Sequence, residues 1–312
     1  MSLESKTLQS ILQDRALMFK AVRTFFEQKG VLEVDTPILS KSAPIDAYID
    51  ILTTQATPTQ QGYFHSSPEY GMKKLLAKGL GDIFQLSHVF RQGEVGACHQ
   101  IEFSMLEWYR SDFSFDMLIL ETKALIEVFL GQLPYKHTTY AQVLHSCFGI
   151  DLLQAPLAKL QSLACEKGFS SDSLDRDVYL SFLWDIAEES LDKELTCVTH
   201  FPASLAALAK TFQEDGNHYA ARFEFYYKGI ELANGYHELT DPQEQHKRLK
   251  EQNKKRESLG KNPLPVDLDF VQALENLKSQ EFYGVAVGFD LLMMLRHNQD
   301  HIEKILPLGW HS

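Results

Sequence analysis

Two segments that lie more than a hundred residues apart place the strongest constraint on how this chain folds. The first, FRQGEVGACHQIEFSMLEWYR, covers residues 90–110, and the second, RFEFYYKGIELANGYHELTD, covers residues 222–241. Together they hold six glutamates among large apolar side chains. A carboxylate is costly to bury unless a cation or hydrogen-bond donors meet it. We therefore expect the fold to gather these side chains around a shared cleft.

The residue types in the two segments suit a particular kind of chemistry. Arginine binds phosphate oxygens, and hard carboxylate oxygens bind Mg²⁺. Further carboxylates, not used by a metal, can pair with the ammonium group of a substrate. The inventory therefore favours a site for ATP, Mg²⁺ and a cationic amino acid, as in an enzyme that activates an amino acid.

The composition indicates a globular protein with a large core. The chain has 312 residues, of which 44% are hydrophobic and 11% aromatic, enough for one large domain or two smaller ones. Thirty basic and 42 acidic residues give a formal charge of −12. Because a polyanion requires a clustered basic surface, we expect no broad contact with tRNA. The basic run at 247–256 is interpreted as the solvated face of a helix.

The chain shows no sign of a membrane or an oxidising compartment. No stretch approaches the roughly 18 apolar residues of a membrane span, and MSLESKTLQS lacks the basic-then-apolar order of a signal peptide. The four cysteines are scattered without metal-ligand spacing, which favours reduced thiols. We predict a cytoplasmic protein without membrane contact.

Periodicity predicts an N-terminal helix that ends at Gly30, followed by a strand over 31–39 that is interrupted by Pro37 at an edge or interface. Residues 82–91 and 102–110 predict an antiparallel hairpin around a glycine-containing loop. Alternate residues of its return strand, including Phe103, Glu107 and Tyr109, share one face.

The rest of the chain mixes helical and extended patterns. Residues 113–211 are mostly helical and loop-like, whereas 222–227 predict a strand. A helix is predicted from an Asp241 cap, with a Glu244 capping box, to Gly260. Near the end, a short glycine-flanked strand at 284–288 feeds a helix over 289–297, whose first amides could donate to phosphate.

These segments, in this order, resemble the three signatures of class II aminoacyl-tRNA synthetases. SSPEY, HQIEFSMLEWYR and GIELANGYHELTD are similar to the lysyl branch, over residues from about 10 to about 300. The first signature starts within thirty residues, so an anticodon-binding domain is not expected before it. This pattern is similar to the truncated paralogues that modify elongation factor P. The resemblance implies an α+β fold, an antiparallel sheet flanked by helices, in a single catalytic domain over 1–312 with a helical insertion at about 113–211.

The resemblance also implies roles for individual residues. Arg91 would be catalytic, holding the α-phosphate and the attacking carboxylate oxygen. The implied ATP-binding residues are Arg91, Gln92, Gly93, His99, Gln100, Phe103, Glu231, Leu232 and Gly288. Glu224 and Glu231 would bind Mg²⁺ between the phosphates.

The amino acid is expected to bind a second group of residues. The implied substrate-binding residues are Ser67, Pro68, Glu69, Glu107, Tyr109, Asn234, Glu238 and Ala286. Among them, Glu107 and Glu238 would pair with the side-chain ammonium. The spacing of Glu231, Asn234 and Glu238 is interpreted as one face of a helical turn. Ala286, where lysyl-tRNA synthetases tend to have glycine, would crowd an α-amino group, so we expect (R)-β-lysine rather than α-lysine.

Two positions depart from the family pattern. Gly93 stands where the second signature has a glutamate, with Glu94 next to it. Leu291 stands where the third signature has an arginine that contacts ATP, and leucine offers neither charge nor donor. Arg296 lies about 140° further around a helix and is a poor substitute. Adenylation is therefore expected to be weakened.

Three functions remain open on the sequence. The first is an ATP-dependent ligase that forms a β-lysyl or lysyl adenylate and transfers the acyl group to a lysine amine of elongation factor P, its protein partner. The second is another stand-alone enzyme that forms amides through aminoacyl adenylates. The third is a weakened paralogue that binds nucleotide or lysine and acts as a regulatory protein. The first signature also implies a homodimer that contacts through the Pro37 element.

Overall fold

The computed structural model describes residues 7–310, which divide into two compact units. The first unit combines the chain up to Gly131 with the chain from Glu238 onward, and the second is Gln132–His237. The helices are α1 (Leu8–Glu27), α2 (Glu69–Leu76), α3 (Phe115–Leu130), α4 (Tyr140–Phe148), α5 (Leu157–Glu166), α6 (Arg176–Glu188), α7 (Pro242–Ser258), α8 (Leu268–Ala273) and α9 (Phe289–Arg296). The strands are β1 (Leu32–Glu33), β2 (Leu39–Ser40), β3 (Thr53–Thr57), β4 (Gln60–Phe64), β5 (Ile83–Phe90), β6 (Glu102–Ser111), β7 (Tyr135–Thr139), β8 (Leu195–Thr199), β9 (Phe201–Pro202), β10 (Thr211–Glu214), β11 (Asn217–Ala220), β12 (Arg222–Tyr227), β13 (Ile230–His237) and β14 (Phe282–Gly288).

The first unit is organised around strands in the order β1-β5-β6-β14. The predicted hairpin is confirmed as the antiparallel pair β5–β6, and β14 runs antiparallel to β6 on its other side. Only the short β1 runs parallel to its neighbour β5. Because side chains alternate along each strand, this sheet has one apolar face and one face rich in polar residues.

The apolar face packs against α1. Thr7 caps this helix by accepting a hydrogen bond from the Ser10 amide, and Phe26 on its buried side stacks on Phe84 of β5 at 4.5 Å. The Phe26 ring also lies 5.2 Å from that of Trp108 on β6. Rings of this size bury much of the apolar area that stabilises the unit, which fixes the strand that carries Glu107.

A buried arginine joins α1 to β6 and α9. Arg15 pairs with Asp290, donates to Ser104 Oγ at 2.8 Å, and lies 5.0 Å from the centroid of the Phe289 ring. Asp290 in turn accepts from the Ser104 amide at 2.7 Å. Both charged side chains, Arg15 and Asp290, have partners within this group, so the group stabilises the fold.

Helix α2 lies near the polar face and is held tightly despite its eight residues. Tyr70 stacks on Phe270 of α8 at 4.1 Å, and Lys74 pairs with Asp267 at 2.6 Å. Gly71 allows close approach to Thr36, since a Cβ there would lie 2.8 Å from the Thr36 side chain. These contacts fix where Glu69 and Lys73 point.

The second unit has its own strands and its own core. Its strands follow the order β13-β12-β8-β7, antiparallel except for the pair β7–β8, and β9, β10 and β11 form a separate three-stranded sheet. Helices α4, α5 and α6 contribute to a core in which Tyr140 stacks on Trp184 at 4.2 Å.

The fold class predicted from the sequence, α+β, is confirmed. The strand predicted over 31–39 is wrong as a single element: the strands are Leu32–Glu33 and Leu39–Ser40. Between them the Thr36 amide donates to the Gln85 side chain, and Pro37 has no amide proton to donate to a ladder. The stretch at 113–211 contains α3 to α6 but also β7, β8 and β9. Asp241 caps α7 as predicted, whereas Glu244 pairs with Arg248 instead of forming a capping box.

Two further observations bear on the expected environment. Within residues 7–310, none of the helices is long and apolar enough to cross a membrane. None of the four cysteines forms a disulfide, so the prediction of thiols is confirmed.

Candidate active site

The polar face of the first unit carries a buried cluster of charged side chains, centred on Lys73 of α2. The Lys73 ammonium lies 2.5 Å from Glu69 Oε1, one helical turn earlier, and 2.5 Å from Glu238 Oε2. The side chains of Lys73 and Glu238 are each 2% exposed and that of Glu69 is 13% exposed. One ammonium thus holds together two carboxylates from distant parts of the chain.

Glu107 belongs to the same cluster but is held by neutral groups. Tyr109 donates its hydroxyl to Glu107 Oε1 at 2.5 Å, and Ser67 donates to Oε2 at 2.6 Å. The Ser67 hydroxyl also accepts from the Glu69 amide at the start of α2. Among the described residues, no cation lies within ion-pair distance of Glu107, which is 2% exposed.

The cluster has an excess of negative charge. Three carboxylates, Glu69, Glu107 and Glu238, face one ammonium, so full ionisation leaves two uncompensated negative charges. Burial, with the charge of Glu69, raises the pKa of Glu107 to about 7. Burial also raises the pKa of Glu238 to about 8, although the Lys73 charge opposes this rise. The pKa values of both carboxyl groups thus lie above their ordinary range, and full ionisation of the cluster is unfavourable near neutral pH.

Lys73 itself stays charged. Burial lowers the pKa of its ammonium, but the charges of Glu238 and Glu69 outweigh that effect, so the pKa lies above its ordinary value. The ammonium also lies 5.9 Å from the centroid of the Tyr109 ring.

The sheet register places small residues beside the cluster. Ala286 of β14 is directly opposite Glu107, and Gly284 is opposite Tyr109. A Cβ at Gly284 would lie 2.2 Å from Glu238 Oε1 and 2.4 Å from the Tyr109 ring. Only glycine leaves room for that carboxylate and ring at this position. On the other side of Glu107, its cross-strand neighbour is Gln85.

Gln85 is a polar residue that the sequence reasoning missed. It is 1% exposed and accepts from the Thr36 amide through Oε1, while its Nε2 has no hydrogen-bond partner within residues 7–310. Buried amide donors are nearly always satisfied, so an unpaired one beside Glu107 on the same face suits a ligand.

The hairpin loop after β5 carries the residues predicted to bind ATP. The Arg91 guanidinium lies 5.2 Å from the centroid of the Phe103 ring and pairs with Glu94 at 3.6 Å. Arg91 Nε is buried, with no hydrogen-bond partner in the described part of the chain. Gly93 has a φ of 81°, so the position that lacks the family's glutamate adopts a backbone conformation that favours glycine. Gln92 and His99 are exposed.

Gln100 is placed differently from the prediction. It is 2% exposed, donates to Glu303 at 3.3 Å, and accepts from the Trp310 amide at 3.1 Å. Nearby, the Ile302 amide donates to the Ala97 carbonyl at 2.7 Å. The C-terminal segment thus holds the loop through both ends of the Gln100 amide, which leaves Gln100 a structural contact rather than an open group for ATP.

The third signature lies at the junction of β14 and α9. Leu291 is half-buried and packs on Gly288, where a Cβ would lie 2.9 Å from Leu291 Cδ1. The glycine therefore makes room for this leucine. Arg296 pairs with Asp14 at 2.6 Å and donates to the Phe129 carbonyl, so it does not take the place of the missing arginine.

In the second unit, Glu224 is buried and forms an ion pair with an arginine. Its carboxylate pairs with Arg222 on the same strand and accepts from the Tyr226 hydroxyl. Trp184 donates to that hydroxyl at 3.1 Å. Across residues 7–310, no group of three or more His, Cys, Asp or Glu side chains is arranged to hold a metal ion. Mg²⁺ at Glu224 and Glu231 would require Arg222 to release Glu224, so the residues do not fit the ion in this arrangement.

The helical interpretation of Glu231, Asn234 and Glu238 is wrong, because β13 is a strand that ends at His237. A β-bulge separates the pairs Phe225–Ala233 and Tyr226–Glu231, so the buried Leu232 is the extra residue. The bulge shifts the alternation by one and places Glu231 and Asn234 on the strand face shared by Glu224. A bulge of this kind leaves no clear signal in a single sequence.

Comparison with known proteins agrees with this geometry. Residues 1–310 match the family described as tRNA synthetases class II (D, K and N). An elongation factor P–(R)-β-lysine ligase of Haemophilus ducreyi is 40% identical over 97% of this chain and 94% of its own length. Proteins of the same name from Actinobacillus succinogenes and Pseudoalteromonas translucida are 41% and 38% identical, each over 95% of this chain and over 93% and 94% of their own lengths. The chain therefore belongs to the class II tRNA synthetase family of the D, K and N type and, within it, to the elongation factor P–(R)-β-lysine ligases.

Proposed function

We propose that this chain is an ATP-dependent ligase that activates (R)-β-lysine, or lysine, and transfers it to a lysine amine of elongation factor P. In the first step, a carboxylate oxygen of the amino acid attacks the α-phosphorus of ATP and pyrophosphate leaves. In the second step, the acceptor amine attacks the acyl carbon, AMP leaves, and an amide forms.

The observation that carries this proposal is the charge imbalance around Glu107. Full ionisation of the three carboxylates would leave two excess negative charges beside Lys73, and a substrate ammonium supplies a further cation. A neutral amino acid of the same length would leave the carboxylates unpaired and would be rejected. Ala286 lies opposite Glu107, where its methyl group supports a preference for an amino group displaced from the α-carbon.

For ATP, Arg91 is the residue best suited to the α-phosphate. Its buried Nε offers a donor, and Phe103 beneath its guanidinium offers an aromatic surface for the base. The cationic charge would stabilise the negative charge that develops on the phosphate oxygens. We further propose a homodimer through the Pro37 element, since Leu32, Ile38 and Leu39 nearby are exposed.

A second function is favoured by Leu291. The position of the family's third-signature arginine holds an uncharged side chain packed on Gly288, and Arg296 is committed to Asp14. A protein with such a site could bind lysine and nucleotide but form adenylate slowly, and act as a regulatory binding protein.

One experiment separates the two functions. Purified protein is incubated with ATP and labelled (R)-β-lysine, α-lysine or norleucine, and pyrophosphate exchange is measured, with label transfer to elongation factor P followed in parallel. The ligase proposal expects exchange with the lysines, faster with the β isomer, none with norleucine, and labelled factor. Binding of lysine without exchange would favour the regulatory protein. Equal exchange with norleucine would contradict both.

A further inference from the structure

The position of Lys73 has a consequence for how the cluster recognises its ligand. The ammonium is fixed on two sides, at 2.5 Å from Glu69 and 2.5 Å from Glu238, and is 2% exposed. Glu238 Oε1 faces the space kept by Gly284. One oxygen of each carboxylate is therefore already engaged by Lys73, and a second ammonium at either carboxylate would compete with that ion pair.

Glu107 differs from both. Its two oxygens accept only hydroxyl protons, from Tyr109 and Ser67, and these donors carry no charge. Hydroxyl groups can rotate and be shared with an incoming donor, whereas an ion pair must be broken. Glu107 is thus the carboxylate of the cluster that can accept a cation at the lowest cost.

We propose that Lys73 is a positioning residue: its ammonium occupies Glu69 and Glu238, so that a substrate ammonium is directed to Glu107 and the reacting carboxylate is held in register. The inference rests on the proposed function and refines it. Glu238, expected from the sequence to bind the substrate ammonium, instead holds Lys73. The Lys73 side chain carries the same ammonium group as the substrate that the site selects.

Removal of Lys73 tests this division of roles. Without it, the substrate ammonium would enter the vacated place between Glu69 and Glu238, so binding persists while the carboxyl group is misplaced. A misplacement of about 1 Å costs roughly a hundredfold in rate. We expect Lys73→Ala to lower kcat about a hundredfold without raising KM for lysine. A purely structural loss would raise KM or reduce the amount of folded enzyme.

Chemical rescue gives a sharper readout. Lys73→Ala removes a propylammonium group, so added n-propylammonium should restore kcat, whereas n-propanol should not. Lys74→Ala is the matched control, because Lys74 lies on the same helix and pairs with Asp267 outside the cluster. Its kcat should not respond to the amine. A wild-type kcat in Lys73→Ala, or a loss that propylammonium leaves unchanged, would overturn the proposal.

A thermal measurement separates this inference from the proposed function. Propylammonium should raise the melting temperature of Lys73→Ala more than that of the wild type or of Lys74→Ala, whether or not the enzyme forms adenylate. If Lys73→Ala does not fold without the amine, the variant Lys73→Met, which is similar in size but uncharged, is used instead. Wild-type kcat and KM in Lys73→Met would contradict a role for the charge of Lys73. Absence of exchange in the wild type together with an amine-dependent melting shift would reject the ligase while retaining the role of Lys73.

Discussion

Each unit buries glutamates on the face of a strand, but the two units balance the charge differently. In the second unit, Glu224 has a guanidinium partner, Arg222, two residues away on the same strand, and a hydroxyl from Tyr226. In the first unit, Glu69, Glu107 and Glu238 share one ammonium. A direct ion pair offsets part of the cost of burying Glu224, whereas carboxylates in excess of their cation lower stability until another cation binds. The imbalance, more than the number of acidic residues, marks the candidate site.

The largest effect is expected where the balanced pair is broken. Glu224→Gln removes the nearest anion of the buried Arg222 guanidinium and leaves only the weaker influence of Glu231, so we expect a cost near the lower end of the roughly 3–5 kcal/mol typical of a broken buried ion pair. Chemical denaturation should show this loss in the free energy of unfolding. A stability equal to that of the wild type would mean that solvent already balances Arg222, and the contrast between the units would disappear.

The corresponding change in the first unit should behave in the opposite way. Glu107→Gln keeps the shape and removes an uncompensated charge, while one of the two hydroxyl groups must turn and accept from the new amide instead of donating to it. Stability above pH 7 should therefore be unchanged or higher. Loss of the carboxylate should lower kcat/KM for lysine by about a hundredfold, as expected for a buried charge contact. Pyrophosphate exchange and denaturation on the same preparation measure both. If Glu107→Gln loses stability and keeps activity, Glu107 is a structural residue and does not bind the substrate ammonium.

The pH dependence of stability sharpens the comparison. Raised carboxyl pKa values, about 7 for Glu107 and about 8 for Glu238, mean that protonation favours the folded state. This contribution is fully present below the unfolded pKa near 4.5 and is lost as pH rises through 7 to 8. Melting temperature without ligand should therefore fall between about pH 5 and pH 8, and Glu107→Gln should flatten the fall. If the melting temperature of Glu107→Gln depends on pH as steeply as that of the wild type, Glu107 does not cause the pH dependence of stability.

The smallest of these effects is expected at Leu291. Leu291→Arg restores the cation of the third signature and should raise exchange about tenfold, since one transition-state contact is worth at least that much. Leu268→Arg provides a control for a new surface charge, because Leu268 is exposed on α8. No gain from Leu291→Arg would show that the packing of this leucine on Gly288 belongs to a site rebuilt without the arginine.

The sequence was informative wherever chemistry and periodicity coincided. The β5–β6 hairpin, α1 and the β14–α9 junction all follow from alternation, helical spacing and glycine positions. The grouping of Glu107 with Tyr109 also follows, because residues two apart on a strand share a face. These features depend on local rules that a single sequence carries.

The features that it did not reveal depend on tertiary contacts. Lys73 follows Glu69 by four residues on a helix, a spacing that usually marks a weak surface pair, and nothing local shows that Glu238 closes the contact from far along the chain. The sequence predicts Gln100 as an ATP contact, but its side-chain amide donates to Glu303 and accepts from the Trp310 amide, both of which are distant in sequence. The bulge at Leu232 arises from pairing with β12, which alternation alone does not encode.

The central claim is that the buried carboxylates around Lys73, whose pKa values are raised, bind the ammonium group of the substrate. Proton release on binding tests this claim most directly. Lysine is titrated into the protein at pH 7.5 by calorimetry in two buffers of different ionisation enthalpy. Because an incoming cation at Glu107 favours the ionised form of that carboxyl group, whose pKa is raised to about 7, we expect net release of protons to the buffer. Binding with no proton release, or with net uptake, would contradict the account.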